Sequence, residues 1–294
     1  MNSILIGCLS ALFLGIADFI ASQNSQRIGS LHSLIGMLIT SSLVITLYLL
    51  FKGTFDDFFL WKNIYGISMG ILHGILMAIA LLLFFHALAI GKISIVSPIM
   101  AAHPVFVICF FILLGKSPTF LQMLAITFVI IGVVIIGASG KFDKFSQKTP
   151  HNLNKILKIS IFSSILYAVA LIALQHSALI LLETNVLWLG RFFGLITVFL
   201  IFIFRRNFTF KYNIKWWLIF LIHGFLDSAG LLFIIIGTSG GVNDAILIVI
   251  ASTFPVITMF LAWLILKETI TFIQKLGVLF IIISISYLSL FTKI

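Results

Sequence analysis

Apolar residues run along this chain in long continuous blocks, broken by short polar clusters. The blocks fall at about 3–21, 31–51, 65–89, 93–114, 120–139, 156–178, 184–204, 216–237, 244–265 and 270–291. Each is close to the roughly 20 residues that a helix needs to cross the hydrocarbon core of a bilayer. The breaks are chemically distinct. Gln23-Asn24-Ser25-Gln26-Arg27 closes the first block, and Lys52 to Lys62, with Asp56 and Asp57, closes the second. Gly91-Lys92 and Gly115-Lys116-Ser117-Pro118 bound the fourth, and Lys141 to Lys158 is the longest polar stretch. Arg205-Arg206-Asn207 and Lys211 to Lys215 follow the seventh, and Lys267-Glu268 divides the last two. The blocks do not alternate in the short segments of a membrane β-barrel. The pattern predicts an all-α integral membrane protein of ten transmembrane helices.

Composition agrees with that pattern. The chain has 294 residues, 62% of them hydrophobic and 9% charged, with a mean hydropathy of +1.27. Soluble domains carry about 25% charged residues, so a soluble enzyme, a disordered chain and a nucleic-acid-binding domain are excluded. The net charge of +10 suits basic loops at a membrane surface. Loops after the odd-numbered spans hold 12 Lys and Arg, against four on the other side. The positive-inside rule then predicts residues 141–158 in the cytoplasm and both termini outside. The first block lacks a basic leader and a cleavage site, so no removable signal peptide is expected. Cys8 and Cys109 both fall inside apolar blocks, which supports neither a disulfide nor a metal framework. No phosphate-binding lysine motif, metal-ligand spacing or catalytic constellation is present, so the expectation is no enzyme, no cofactor and no metal.

The chain is written twice. Ile71-Leu72-His73-Gly74-Ile75-Leu76 resembles Leu221-Ile222-His223-Gly224-Phe225-Leu226 at an offset of 150. One residue further in register, Pro104-Val105 falls on Pro255-Val256 and Lys116 on Lys267. A repeated His-Gly pair and a repeated mid-span proline are stronger signals than apolar matches alone. Two five-helix copies are predicted, 1–140 and 156–294, joined by a basic linker at 141–155. Five is odd, so the second copy enters the membrane in the opposite sense. Inverted repeats that enclose a midplane site and rock around it are a transporter signature.

Ala87-Leu88-Ala89-Ile90-Gly91-Lys92-Ile93-Ser94-Ile95-Val96-Ser97-Pro98-Ile99 leads into Pro104-Val105-Phe106, Gly115-Lys116, Gln122 and Gly132-Val133-Val134. The second copy has Pro255-Val256, Leu266-Lys267-Glu268, Gln274 and Leu276-Gly277-Val278. This resembles the EamA-type family of the drug/metabolite transporter superfamily. The resemblance implies ten helices around a central cavity and carriage of small metabolites, often amino acids, commonly outward, in a multi-pass protein of the bacterial inner membrane. Its members are usually drawn with both termini inside, against the charge rule. The family's acidic residue after the fourth span is replaced here by Lys116-Ser117 and kept only in the second copy, as Glu268. The expected partners are a small-molecule substrate, the lipid bilayer and protons as candidate coupling ions, with no nucleic acid, in a monomer or homodimer. Efflux of lipophilic cations is the alternative within transport, and a non-transporting receptor or scaffold the alternative outside it.

Ionisable groups inside a span are costly, and by default they mark a substrate or ion path. Asp227 falls midway along the eighth span with His223 four residues earlier, so both lie on one helix face. Either they share a proton as a structural pair or they recognise a substrate amine and couple protons. His73 occupies the matching place in the first copy, where Met77 replaces the acid. Arg191, near Trp188, Phe192 and Phe193, either snorkels to a surface or pairs with Asp227, Glu183 or a substrate carboxylate. Asp18 reads as a helix-end carboxylate or a cavity-mouth residue. His103 precedes Pro104 and is either core packing or part of a broken midplane helix. Pro104 and Pro255 are expected to bend their spans at equivalent depths, because proline lacks the N–H that the ladder needs. Asp244 reads as a helix cap, and His86 and His176 as interfacial imidazoles.

Overall fold

In the computed structural model, residues 3–53, 63–113, 153–204, 212–238 and 250–291 are described, apart from 114, 252 and 269 and with scattered positions between 115 and 135. Residues 141–152 of the basic linker, Asp244 and the 54–62 loop lie outside the described residues, while linker residues 153–155 are already helical. Ten long helical segments are seen: α1 (Ser3–Ile28), α2 (Ser30–Lys52), α3 (Ile64–Ile90), α4 (Ile93–Ala101), α5 (His103–Leu113), α6 (Leu153–Ala178), α7 (Glu183–Phe204), α8 (Ile214–Thr238), α9 (Phe254–Leu266) and α10 (Phe272–Phe291). The described positions from 120 to 135 are also helical, in the fifth predicted span. Six of the helices carry apolar stretches of 22–27 residues, long enough to cross a bilayer.

α1 departs from its predicted end. The polar run Gln23–Arg27 continues the helix to Ile28, and Gly29 alone, at φ 87°, turns the chain into α2. Polar residues lie inside here because they are covered. Asn24 and Ser25 are buried, and Gln26 Nε2 donates to Leu88 O at 3.2 Å.

The two copies pack crosswise. α3 lies on α6 and α7, while its counterpart α8 lies on α1 and α2. Each copy's third helix is therefore held by the first two helices of the other, as an inverted two-fold arrangement requires. The repeated His-Gly pairs sit at these crossings. A Cβ on Gly74 would stand 2.9 Å from Gly190 O, and one on Gly224 would collide with Thr40 Oγ1 and the Ser41 amide. Residues 40 and 190 are themselves 150 apart. Glycine is needed at both crossings so that backbone can meet backbone. Paired serines repeat the symmetry: Ser10 Oγ donates to Gly230 O at 2.8 Å, and Ser163 Oγ to Ala80 O at 2.7 Å.

The fourth and ninth spans are broken at matching places. α4 ends at Ala101, Ala102 stands at φ −75°, ψ 0°, and α5 starts at His103. In the second copy Thr253 stands at φ −81°, ψ 3°, ahead of α9. The hydrogen bonds repeat too. Ala102 N bonds Ile99 O and Val105 N bonds Ala102 O; Thr253 N bonds Ile250 O and Val256 N bonds Thr253 O. Pro104 and Pro255 supply no amide, so the carbonyl four residues earlier loses its helical donor. The Met100 carbonyl freed in this way accepts Ser164 Oγ at 3.2 Å and His103 Nδ1 at 3.2 Å.

At the ends of α1, α3 and α7 and the start of α4, one apolar cluster runs through Leu88, Ile93, Ile156, Phe202 and Ala262 and closes that face. At the other end the described residues form two smaller clusters, around Ile45 and Leu232 and around Leu181 and Leu189.

Candidate functional site

The polar centre lies where the crossings and the breaks meet. α7 carries Arg191 nine residues into the helix, 6% exposed, and α8 carries Asp227 near its middle. Their side chains meet at 2.6 Å, Arg191 Nη2 on Asp227 Oδ2. α2 adds Ser41, whose hydroxyl reaches the same carboxylate oxygen at 3.3 Å and Ser228 Oγ at 2.7 Å. Three helices of both copies thus converge on one ion pair. The guanidinium is not fully used. Arg191 Nε is buried without a hydrogen-bond partner.

A second carboxylate faces this pair. Asp18 Oδ2 accepts from Ser97 Oγ at 3.1 Å, linking α1 to the half-helix α4. Because α1 runs on to Ile28, Asp18 lies about 15 Å of helix from that end. It is a mid-membrane group and not the helix-end carboxylate that the sequence allowed. Asp18 lies within electrostatic reach of Asp227, and Tyr167 on α6 lies within reach of Arg191, Asp227 and Asp18 together. The centre holds two carboxylates against one guanidinium.

The imidazoles behave differently from one another. His73 Nδ1 donates to Ala170 O at 2.8 Å, and its ring packs on Gly190. His223 stacks on Phe85 at 5.8 Å, with its buried Nδ1 unpartnered. The proton-sharing pair of His223 with Asp227 is not the arrangement seen, because the carboxylate turns to the stronger donor, Arg191. Arg191 correspondingly does not snorkel. His103 lies against the Tyr167 ring, centroids 4.6 Å apart. Trp188 donates Nε1 to Thr46 Oγ1 at 2.8 Å and stacks on Phe192. Pro255 is buried at the second break, and Pro104 lies at the first.

Sequence reasoning missed Ser41, Ser97, Ser228 and Tyr167. Ser41 had a signal, since it is the 150-offset counterpart of Arg191. Tyr167 had none, because an aromatic in an apolar span reads as packing. Among the described residues no cluster of three or more His, Cys, Asp or Glu could hold a metal.

Comparisons with known proteins fit this geometry. Residues 1–138 and 154–290 each match the EamA-like transporter family. An uncharacterized protein of Methanocaldococcus jannaschii is 27% identical over 144 residues, which is 47% of this chain and 98% of that protein. That relative is therefore about one repeat long. A solved crystal structure superposes with a TM-score of 0.63 over 97% of this chain and 95% of its own, at 13% identity, which speaks for the fold.

Proposed function

The chain belongs to the EamA-like transporter family, a multi-pass membrane transporter of the drug/metabolite superfamily, and on that premise we propose that it exports amino acids or related small polar metabolites by alternating access. The observation that carries the substrate class is the buried Arg191 with a spare Nε donor, set beside Asp227 and across from Asp18. A guanidinium binds a carboxylate in a planar, two-pronged fashion. A zwitterion would put its carboxylate on Arg191 and its ammonium toward Asp18 and Asp227, and being itself neutral it would add no net charge to the centre. Such a substrate brings no new charge into the membrane interior, which keeps the electrostatic cost of loading low. Protons are the proposed coupling ion, taken up by Asp18 when the centre is unloaded. The two copies, 1–140 and 156–294, are the two rocking bodies and 141–155 the tether between them.

The test is counterflow in vesicles holding the purified protein, with labelled amino acids and their methyl esters. Exchange of the free amino acid and not of its ester supports the reading. A second reading, efflux of lipophilic cations, is favoured by the excess of one carboxylate. Exchange of a quaternary ammonium with no exchange of any amino acid would replace the first reading with the second.

A further inference from the structure

The half-helix α4 is fastened from the other copy. Glu268, in the turn between α9 and α10, aims its carboxylate at the first turn of α4, where Ile93 N donates to Oε1 and Ser94 N to Oε2, both at 3.3 Å. The turn is built to do this. Lys267 takes the left-handed conformation at φ 55°, and Glu268 N returns to Ala262 O at 3.2 Å, which fixes the direction of the side chain. The first turn of a helix has amides without helical partners and a positive dipole end, so a carboxylate there is held by both. α4 belongs to the first copy and Glu268 to the second. The contact therefore joins the two bodies across the closed face, next to Gly91, Ile156 and Leu88.

Below this clasp α4 is fully buried and ends at the Ala102 break, with Ser97 on Asp18 and the Met100 carbonyl on Ser164 and His103. Opening of the closed face requires the first copy's loop at 91–92 to part from the second copy's loop at 267–271. The Glu268 hydrogen bonds lie across that parting line. The first copy has Lys116-Ser117 where the second has Lys267-Glu268, so the acid is written on one face only.

We propose that Glu268 is a one-sided latch that holds the transporter closed on the face bearing the 91–92 and 267–271 loops, and so sets which face the empty carrier presents open. This rests on alternating access but not on any substrate. It makes Glu268 a positioning residue that acts on a conformational equilibrium and touches no cargo.

The experiment is a distance measurement between spin labels at Ile90→Cys and Phe272→Cys, both exposed positions flanking the latch, in a Cys8→Ala, Cys109→Ala background. It is made on purified full-length protein in vesicles without substrate. Two variants weaken the latch from opposite sides. Glu268→Gln removes the charge. Ile93→Pro removes one donor, at a first helical position that proline tolerates and after Lys92 at φ −71°, ψ 132°, which suits the residue before a proline. Each is expected to raise the separated population about tenfold, the scale of one hydrogen bond to a charged group. The double variant is expected to fall short of the product of the two single effects, because both act on the same contact. Distance distributions that match the parent in either variant would overturn the latch, as would effects of the two variants that add independently. Failure of the amino-acid reading would leave these distances untouched, since no substrate is present.

Discussion

His73 and His223 sit at the same place in two copies of one fold and both lie within electrostatic reach of Arg191, yet only the second has a carboxylate one turn along its own helix. Around His73 the partners are backbone: Ala170 O on the imidazole and Gly190 against its ring. Around His223 the same crossing is filled with polar side chains, because Ser41 and Asp227 stand where the first copy's crossing has Arg191 and Met77. The pseudo-two-fold axis therefore relates helices, glycines and breaks, but not chemistry. Symmetry in the packing lets the bodies rock between equivalent closures. Asymmetry in the side chains gives one place where a charged group can be met. A duplicated scaffold can diverge in this way because backbone contacts at Gly74 and Gly224 do not depend on what the neighbouring side chains carry.

The largest effect should follow from removing that asymmetry. Asp227→Asn leaves Arg191 buried without its directly paired carboxylate, and breaking a buried pair from one side costs about 3–5 kcal/mol. Transport in vesicles is expected to fall at least about a hundredfold, with the protein still inserted but melting lower. Replacing both members, Arg191→Met with Asp227→Leu, removes the orphaned charge. It should recover most of the melting temperature and none of the transport. Recovery of transport in the double variant would show that the pair only holds the helices together.

A middle-sized effect separates the two crossings themselves. Gly224→Ala would drive a methyl into Thr40 and the Ser41 amide, and Gly74→Ala into Gly190 O. Overpacking of this kind costs about 1–3 kcal/mol. Both should lower thermal stability, with Gly224→Ala the worse. Only Gly224→Ala should also depress transport, because Ser41 holds the Asp227 carboxylate. Equal transport losses in the two variants would mean that the crossings differ in packing alone.

Much of this was legible in the sequence, and the reason is periodicity. Ten apolar blocks, the repeated His-Gly pair and the repeated proline are long, regular signals, and the helices, crossings and breaks follow them. Asp227 and Arg191 were conspicuous because charge inside a span is rare. Their pairing could be raised only as one alternative among several for Arg191, since the distance between α7 and α8 side chains is a tertiary fact. The helix-end alternative for Asp18 fails for a local reason: Gln23–Arg27 reads as a polar turn, but α1 buries part of it and hydrogen-bonds Gln26 to α3. Ser41, Ser97 and Tyr167 left little trace, because a hydroxyl in a membrane helix usually bonds its own backbone, as Thr127 and Thr197 do here. Glu268 stood out only as the copy that kept its acid, and nothing in its sequence position points to the α4 amides.

The smallest effects should come from the imidazoles, and they should come in opposite orders for two measurements. His73 spends its Nδ1 on the Ala170 carbonyl, so His73→Gln loses or lengthens a buried hydrogen bond between α3 and α6, worth about 1 kcal/mol net. His223 has no partner on its Nδ1, so His223→Gln loses mainly the stacked contact with Phe85 and can satisfy its amide no worse than the ring did. Thermal stability should therefore fall more for His73→Gln than for His223→Gln. Transport should rank the other way. His223 is one helical turn from Asp227, and a polar group free to bond can meet a substrate or a proton arriving at the ion pair. His223→Gln is expected to slow transport a few-fold, while His73→Gln changes it little beyond the loss of folded protein. If both variants lose stability and transport in the same proportion, the two histidines are equivalent packing residues and the chemical asymmetry ends at Arg191 and Asp227.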